Sequence, residues 1–362
     1  MDVYPLEPIN LSQAKELQFR LVDLMQKHFN GEELLEAGDY GLVPELGQPR
    51  FTKKVERVLA DFFGGETAML VRGAGTGAIR LFFIANLNPE AKILVHKAPV
   101  YPTTKVTVDS MGFNIVKIDF NKINEIDLPD RDFSAILVQH TRQKIDDKYN
   151  LDEVLGVLKK NYPRTAIISD DNYAVMKVNK IGVQMGADVS AFSLFKLLGP
   201  PGVGCIVGKA DYIEKMRELN YSGGSQIQGP EAFEALKSLV YAPVSLAIQA
   251  EVTEEVNKRL NDGEVTEVEN SFIANAQSRV ILVRFKEKIA KDFLQNVTKF
   301  GGVSRPVGAE SRYEVGSMFY RISGTFRKEN PDLENYMIRI NPMRAGADSI
   351  IKVIKKTLKY IK

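Results

Sequence analysis

The most chemically suggestive stretch of this sequence sets a lysine in apolar company, Phe195-Lys196-Leu197, just ahead of the turn Leu198-Gly199-Pro200-Pro201-Gly202. Among apolar neighbours an ammonium is costly, its pKa falls, and the amine can form a Schiff base with a carbonyl. The same pattern also describes a lysine whose stem packs while its head reaches water. Three further stretches bear on the choice. Gly73-Ala74-Gly75-Thr76-Gly77-Ala78 follows the apolar run 68–71 and opens the helical AIRLFFIANL. Glycines at a strand-to-helix turn let backbone N–H groups and the helix dipole meet an anion, and Thr76 adds a hydroxyl. The turn is not the GxGxxG of dinucleotide sites and lacks the Gly-Lys-Ser/Thr of a P-loop, so a tight turn without ligand fits it equally well.

Tyr101, between Pro99 and Pro102, follows a second apolar run, where a planar ring could stack on an aromatic ligand or simply fill a turn. Ser169-Asp170-Asp171-Asn172-Tyr173 follows a third. Two carboxylates there could bind a metal, cap a helix or meet a cation. Adjacent residues of an extended chain point apart, and His28, His96 and His140 show no ligand spacing, so a metal is a poor reading. One carboxylate facing a cationic ring nitrogen fits better.

These residues need elements to position them. Residues 11–29 carry Leu17, Leu21, Leu24 and Met25 at helical spacing, with Gly31 beyond. From residue 52 short apolar runs alternate with amphipathic segments, which predicts a mostly parallel sheet with crossover helices. Strands are expected near 68–71, 92–95, 114–118, 135–138, 166–169, 189–192 and 203–207. Ligands of such sheets bind at the carboxyl ends of the strands, where all four stretches fall. After Gly229-Pro230 a helical pattern runs to about Leu260 and is expected to kink or break at Pro243. A smaller domain follows: strand 278–285, helix 287–300, strands near 317–323 and 336–340, and a last helix with Ile350, Ile351, Ile354 and Leu358 on one face.

At 362 residues, 44% hydrophobic and 26% charged, the chain has ordinary globular composition and length enough for two domains. Lys+Arg 48 against Asp+Glu 46 leaves +2 with no basic block, which gives no electrostatic case for nucleic acid or an anionic membrane. The single cysteine, Cys205, excludes an internal disulfide and reads as buried filler. With no signal-like or membrane-length apolar segment, a cytoplasmic protein is expected.

Together and in this order, the four stretches resemble the fold-type-I pyridoxal-phosphate enzymes, the aspartate aminotransferase superfamily. The resemblance covers nearly the whole chain. LGQPRFTKKVERVLADFFGGETAMLVRGAGTGAI is similar to the segment around GGE and SSG in the Cys/Met-metabolism branch, and YMIRINP resembles that branch's RLSVG strand. As a whole the sequence resembles the YhfS-like proteins, a bacterial aminotransferase-like group. The resemblance implies an α/β fold: an N-terminal arm and helix (1–51), a large domain (52–242) with a seven-stranded mostly parallel sheet, and a smaller α+β domain (243–362).

It also implies pyridoxal 5'-phosphate as cofactor. Lys196 would carry it, and Asp170, with Tyr173 three residues on, would pair with the pyridine nitrogen. Tyr101 would stack on the ring, Gly75, Thr76, Gly77 and Ser193 would hold the phosphate, and Arg339 would take the substrate carboxylate. The segment after Lys196 departs from the aminotransferase pattern in lacking a phosphate-binding arginine. A homodimer with a shared site is implied, the region of Tyr40 and Arg50 reaching across; the loop Tyr221–Ser225 is a further candidate for the site's border. The expected reaction is transamination of an amino acid. Carbon-sulfur elimination is the runner-up, and a non-catalytic cofactor-binding protein is the reading from another class.

Overall fold

The computed structural model describes residues 3–129, 132–275, 279–308, 310–324, 327 and 330–362. They divide into two compact units, one of the described residues within 12–141 and 148–243, the other of those within 3–11, 142–147 and 244–362.

The first unit is built on a seven-stranded sheet: β1 (Thr67–Arg72), β2 (Lys92–His96), β3 (Asn114–Ile118), β4 (Ala135–Gln139), β5 (Ala166–Asp170), β6 (Val189–Ser193) and β7 (Val203–Gly208). All seven runs read from the sequence are present. Their order is β1-β7-β6-β5-β4-β2-β3, with only β7 antiparallel to its neighbours. β5 and β6 are buried at every position, as expected of central strands covered on both faces.

Helices cover both faces. α3 (Ala74–Asn86) and α6 (Ala210–Leu219) lay Ile79, Phe82, Phe83, Ile213 and Met216 against one. α5 (Leu151–Asn161) lays Val154, Leu155 and Leu158 against the other. Cys205 is fully buried, and burial pushes its thiol well above the usual range, as filler should be. α1 (Leu11–His28) and α2 (Arg50–Phe63) precede the sheet; α1 buries Ala14, Leu21 and Met25.

α7 runs from Gly229 to Asn261 with Pro243 inside it, so the chain does not break there. An interior proline costs about 3 kcal/mol. Leu239, Ala242, Leu246 and Ala247 around it are buried, and a fully buried leucine contributes about 1.5–3 kcal/mol, enough to outweigh the loss.

The second unit carries an antiparallel sheet in the order β10-β11-β9-β8, made of β8 (Val268–Asn275), β9 (Arg279–Phe285), β10 (Met318–Arg321) and β11 (Met337–Asn341). β8 is absent from the sequence-based reading. The segment expected as one helix over 287–300 is α8 (Ala290–Asn296) followed by a 3-10 turn, Val297–Phe300. The C-terminal helix Ala347–Ile361 buries Ile350, Ile351, Ile354 and Leu358 beside Phe285, Phe293 and Phe319.

Candidate active site

The parallel strands bring their carboxyl ends to one edge of the large sheet, and each chemically suggestive stretch leaves a strand there. β6 ends at Ser193, and the next four residues form a 3-10 turn that carries Lys196. Leu198 closes this turn in the left-handed region, φ 64°, and the Gly199 N–H caps it on the Leu194 carbonyl at 3.0 Å.

The Gly/Pro stretch that follows has a definite task. The Gly202 carbonyl accepts from the N–H groups of Gly73 and Ala74, at 2.8 and 2.9 Å. The turn after the lysine thereby holds the glycine turn at the head of α3, so two motifs more than a hundred residues apart form one structure.

β5 ends at Asp170, and the two adjacent carboxylates part as expected. Asp171 is fully buried, with its Oδ1 2.7 Å from His140 Nδ1 and accepting from the Gly182 N–H at 3.1 Å, so it ties turns together. Asp170 Oδ1 instead accepts from the Asn172 side chain at 2.7 Å and the Asn172 N–H at 3.1 Å. Burial pushes the Asp170 carboxyl above the ordinary carboxylate range, with the Asn172 hydrogen bonds and the Lys196 charge pulling the other way. Asn172 also reaches the lysine: its Oδ1 accepts from Lys196 Nζ at 3.2 Å and from the Ser193 N–H at 3.1 Å. The Lys196 ammonium lies 3.8 Å from the centre of the Tyr173 ring and 5.9 Å from that of Tyr101.

The glycine turn sits within the first turn of α3 rather than ahead of it. Gly77 donates its N–H to the Gly73 carbonyl at 2.8 Å, and a Cβ on it would lie 2.0 Å from the Arg72 carbonyl oxygen. Its contribution is therefore close packing. The N–H groups of Gly75 and Thr76 are the ones that the helix start presents to an anion. Thr76 Oγ1 is 2.8 Å from Thr103 Oγ1 in α4 (Pro102–Ser110), whose N-cap is Tyr101. Ser193, 3% exposed, has a buried Oγ with no hydrogen-bond partner among the described residues.

Comparison with known proteins identifies the family. Residues 52–242 match the family described as aminotransferase class-V, and residues 254–354 match the YhfS-like C-terminal domain. The chain belongs to the class-V aminotransferase family. It is 48% identical, over the whole length of both chains, to the uncharacterized protein YhfS of Escherichia coli (strain K12). The crystal structure of E. coli YhfS, described as pyridoxal-5'-phosphate dependent, superposes with a TM-score of 0.96 over 99% of this chain and 100% of that one. A carbon-sulfur lyase involved in aluminum resistance from Clostridium novyi NT shares the fold, with a TM-score of 0.70 at 17% identity over 97% of this chain and 91% of that one.

The fold-type-I architecture expected from the motifs is thus the architecture found, and the cofactor of the family is pyridoxal 5'-phosphate. The residues present fit that group. An orphaned buried hydroxyl on Ser193 and two N–H groups at a helix start suit a phosphate. A buried carboxylate suits a protonated ring nitrogen, and an amine lies beside it. Among the described residues no cluster of His, Cys, Asp and Glu could hold a metal ion, and no helix is long and apolar enough to cross a membrane.

Lys196, Asp170, Tyr173, Tyr101, Ser193, Gly75, Thr76 and Gly77 all lie on this edge of the sheet. Arg339 lies in the second unit, on β11, only 5% exposed. Its Nε donates to the Arg321 carbonyl at 2.8 Å and its guanidinium lies 4.1 Å from the centre of the Tyr320 ring, so the fork is held rigidly.

Tyr40 is 78% exposed, and the Arg50 side chain is exposed at the head of α2, 3.7 Å from Asp39. Gln228 ties this region to the Tyr221–Ser225 loop, accepting from the Gly41 N–H at 2.8 Å and donating to the Gly223 carbonyl at 3.0 Å. Sequence reasoning missed Asn172 and His140 as site residues. Both stand just past the end of a strand, which was the available signal.

Proposed function

We propose that this protein is a cytoplasmic pyridoxal-phosphate enzyme that acts on an amino acid, with transamination as its reaction. One observation carries the reading. A lysine amine and a buried carboxylate sit at the carboxyl edge of the sheet, joined through a single amide, beside a helix start and an orphaned serine hydroxyl.

Bound there, pyridoxal phosphate supplies an electron sink for charge developing at the substrate α-carbon. Gly75, Thr76 and Ser193 receive its phosphate, and Tyr101 offers a ring face for stacking. Lys196 would hold the cofactor, and its amine would serve as the base and acid that moves a proton at the α-carbon. Asp170 keeps the proton at the ring nitrogen in place. Its charge is costly where it is buried, and a cation opposite relieves that cost. Arg339, its fork fixed by Arg321 and Tyr320, receives the substrate carboxylate bidentately and so sets which α-carbon bond is aligned for cleavage. A homodimer fits the exposed Tyr40 and Arg50 loop, which then borders the neighbouring subunit's site.

The test is an absorbance scan of the loaded protein against a panel of amino acids. Transamination converts the cofactor stoichiometrically to its amine form when no keto acid is added. Release of keto acid and ammonia makes the protein a lyase instead, and an unchanged spectrum with every amino acid refutes catalysis on this class.

A further inference from the structure

We propose that Asn172 is a positioning residue of this site, holding the Lys196 amine and the Asp170 carboxylate on opposite ends of one amide. The inference rests on the reading of Lys196 as the cofactor-bearing lysine, and it assigns a residue that no motif singled out.

The orientation of the amide is forced. Two donors, the Ser193 N–H at 3.1 Å and Lys196 Nζ at 3.2 Å, face Oδ1, while an acceptor, Asp170 Oδ1 at 2.7 Å, faces Nδ2. Rotating the amide by half a turn would set donor against donor and acceptor against acceptor. Asn172 is also pinned through its backbone: its N–H donates to Asp170 Oδ1 at 3.1 Å, and its carbonyl accepts from Thr141 Oγ1 at 3.0 Å. On its remaining side stands Gly75, where a Cβ would lie 2.4 Å from Asn172 Nδ2 and 2.6 Å from Oδ1. The glycine in the first turn of α3 is therefore the space that the asparagine occupies.

This arrangement conveys charge. A carboxylate accepting from one end of an amide polarises it and makes the oxygen at the other end a stronger acceptor, which favours the ammonium form of the amine held there. Titratable groups nearby include Tyr173 and Tyr101 around the amine, Lys177 beside Tyr173, and Asp171, with its partner His140, next to Asp170. Asn172 is bonded to both Lys196 and Asp170.

The test reads the lysine itself, in the cofactor-free protein. Trace acetylation with acetic anhydride across a pH series, followed by mass spectrometry of the peptides, gives the titration midpoint of Lys196. Asn172→Ala should lower that midpoint by about one pH unit, a tenfold shift in the protonation equilibrium. Asn172→Asp keeps an oxygen toward the amine and should leave the midpoint at or above that of the parent. Gly75→Ala, whose methyl group must displace the amide, should reproduce the downward shift with Asn172 intact.

Lys159 and Lys209, both 2.7 Å from Asp188, report in the same digest whether a variant is folded. Asn172→Ser replaces the alanine variant if that one is not. A Lys196 midpoint unmoved in folded Asn172→Ala or Asn172→Ser overturns the inference and leaves Asn172 as packing. Borohydride reduction of the loaded parent tests the reading beneath it. A pyridoxyl label on another lysine overturns that reading, whereas a label on Lys196 with an unmoved midpoint overturns the inference alone.

Discussion

Gly204→Ala is a perturbation on β7 that should weaken cofactor binding without touching a binding residue. Gly204 pairs with Val71 on one side and Ser193 on the other, and a Cβ on it would lie 2.1 Å from the Ala74 carbonyl oxygen and 2.4 Å from its carbon. Unbonded heavy atoms favour about 3.5–4.0 Å, so one backbone must retreat by roughly 1 Å. β7 is held in two ladders, whereas Ala74 opens a helix and already has positive φ, 57°, so the helix start moves.

Overpacking of this kind costs about 1–3 kcal/mol. For a unit of this size that lowers Tm by roughly 2–12 °C. A shift of about 1 Å also takes the Gly75 and Thr76 N–H groups out of the narrow hydrogen-bond range. Each bond to a charged partner contributes about 1.5–3 kcal/mol, so pyridoxal-phosphate affinity should fall by about tenfold to a hundredfold. Titration of the cofactor-free protein with pyridoxal phosphate, followed by fluorescence, reads this directly. Gly156→Ala, on α5 with nothing within 4 Å of the new methyl, is the control and should be neutral or slightly stabilising. Should Gly204→Ala bind the cofactor as tightly as the parent does, the coupling of β7 to the anion cradle is wrong.

The two aspartates should separate by phenotype. Asp170→Asn keeps the fold but loses most turnover, while Asp171→Asn, which disturbs the bonds to His140 and Gly182, shows chiefly as a lower melting temperature. Arg217→Met should cost about 3–5 kcal/mol in urea denaturation, because it removes the charge partner, at 2.9 Å, of the buried Glu56 carboxylate and leaves it only the neutral donors Gln48 and the Leu70 N–H. Adding Glu56→Gln should recover part of that loss.

Asp188 is predicted to shape the acid limb of stability. Burial raises its pKa, but the bonds from Lys159, Lys209 and the Ile167 N–H outweigh this and hold the carboxyl below its ordinary value. Its contribution is therefore present above the unfolded pKa of about 3.9 and lost as pH falls through the lower folded value. The Tm gap between parent and Asp188→Asn should be widest near pH 7 and narrow below about pH 4. A gap independent of pH would remove the ion pairs from the explanation.

The large sheet was legible because most of its strands are buried on both faces and centre on short apolar runs, such as residues 69–71, 93–95 and 136–138, that polar or glycine residues close. β8 was not, for a physical reason. Val268-Glu269-Asn270-Ser271-Phe272 carries three polar residues in a row and is bulged against β9 between Val268 and Asn270, so neither an apolar run nor a clean alternation marks it. The helical pattern through Pro243 was legible; of the kink or break that local preference argued for, the break does not occur, because burial around the proline sustains the helix. At the site, the residues with a chemical signature of their own, Lys196 and Asp170, could be picked out. Asn172 could not, since its importance comes from four converging segments: the end of β4, the turn after β5, the lysine turn and the head of α3.

The backbone also carries strain around the candidate site. Seven described residues other than glycine have positive φ, and four of them, Ala74, Tyr173, Met176 and Leu198, lie in the glycine turn, the turn after Asp170 and the turn after Lys196. Such conformations cost about 1–3 kcal/mol each and persist only where the surroundings over-determine them. Here the surroundings are identifiable: the Gly202 carbonyl holds Ala74, the Asp171 network anchors the turn bearing Tyr173 and Met176, and the Leu194 carbonyl closes the turn at Leu198. Relaxing any one of the three turns would move the lysine, the carboxylate or the helix start away from the other two. The strain is the cost of holding all three on one edge of the sheet, and the doubly covered sheet behind them supplies the stability to sustain it.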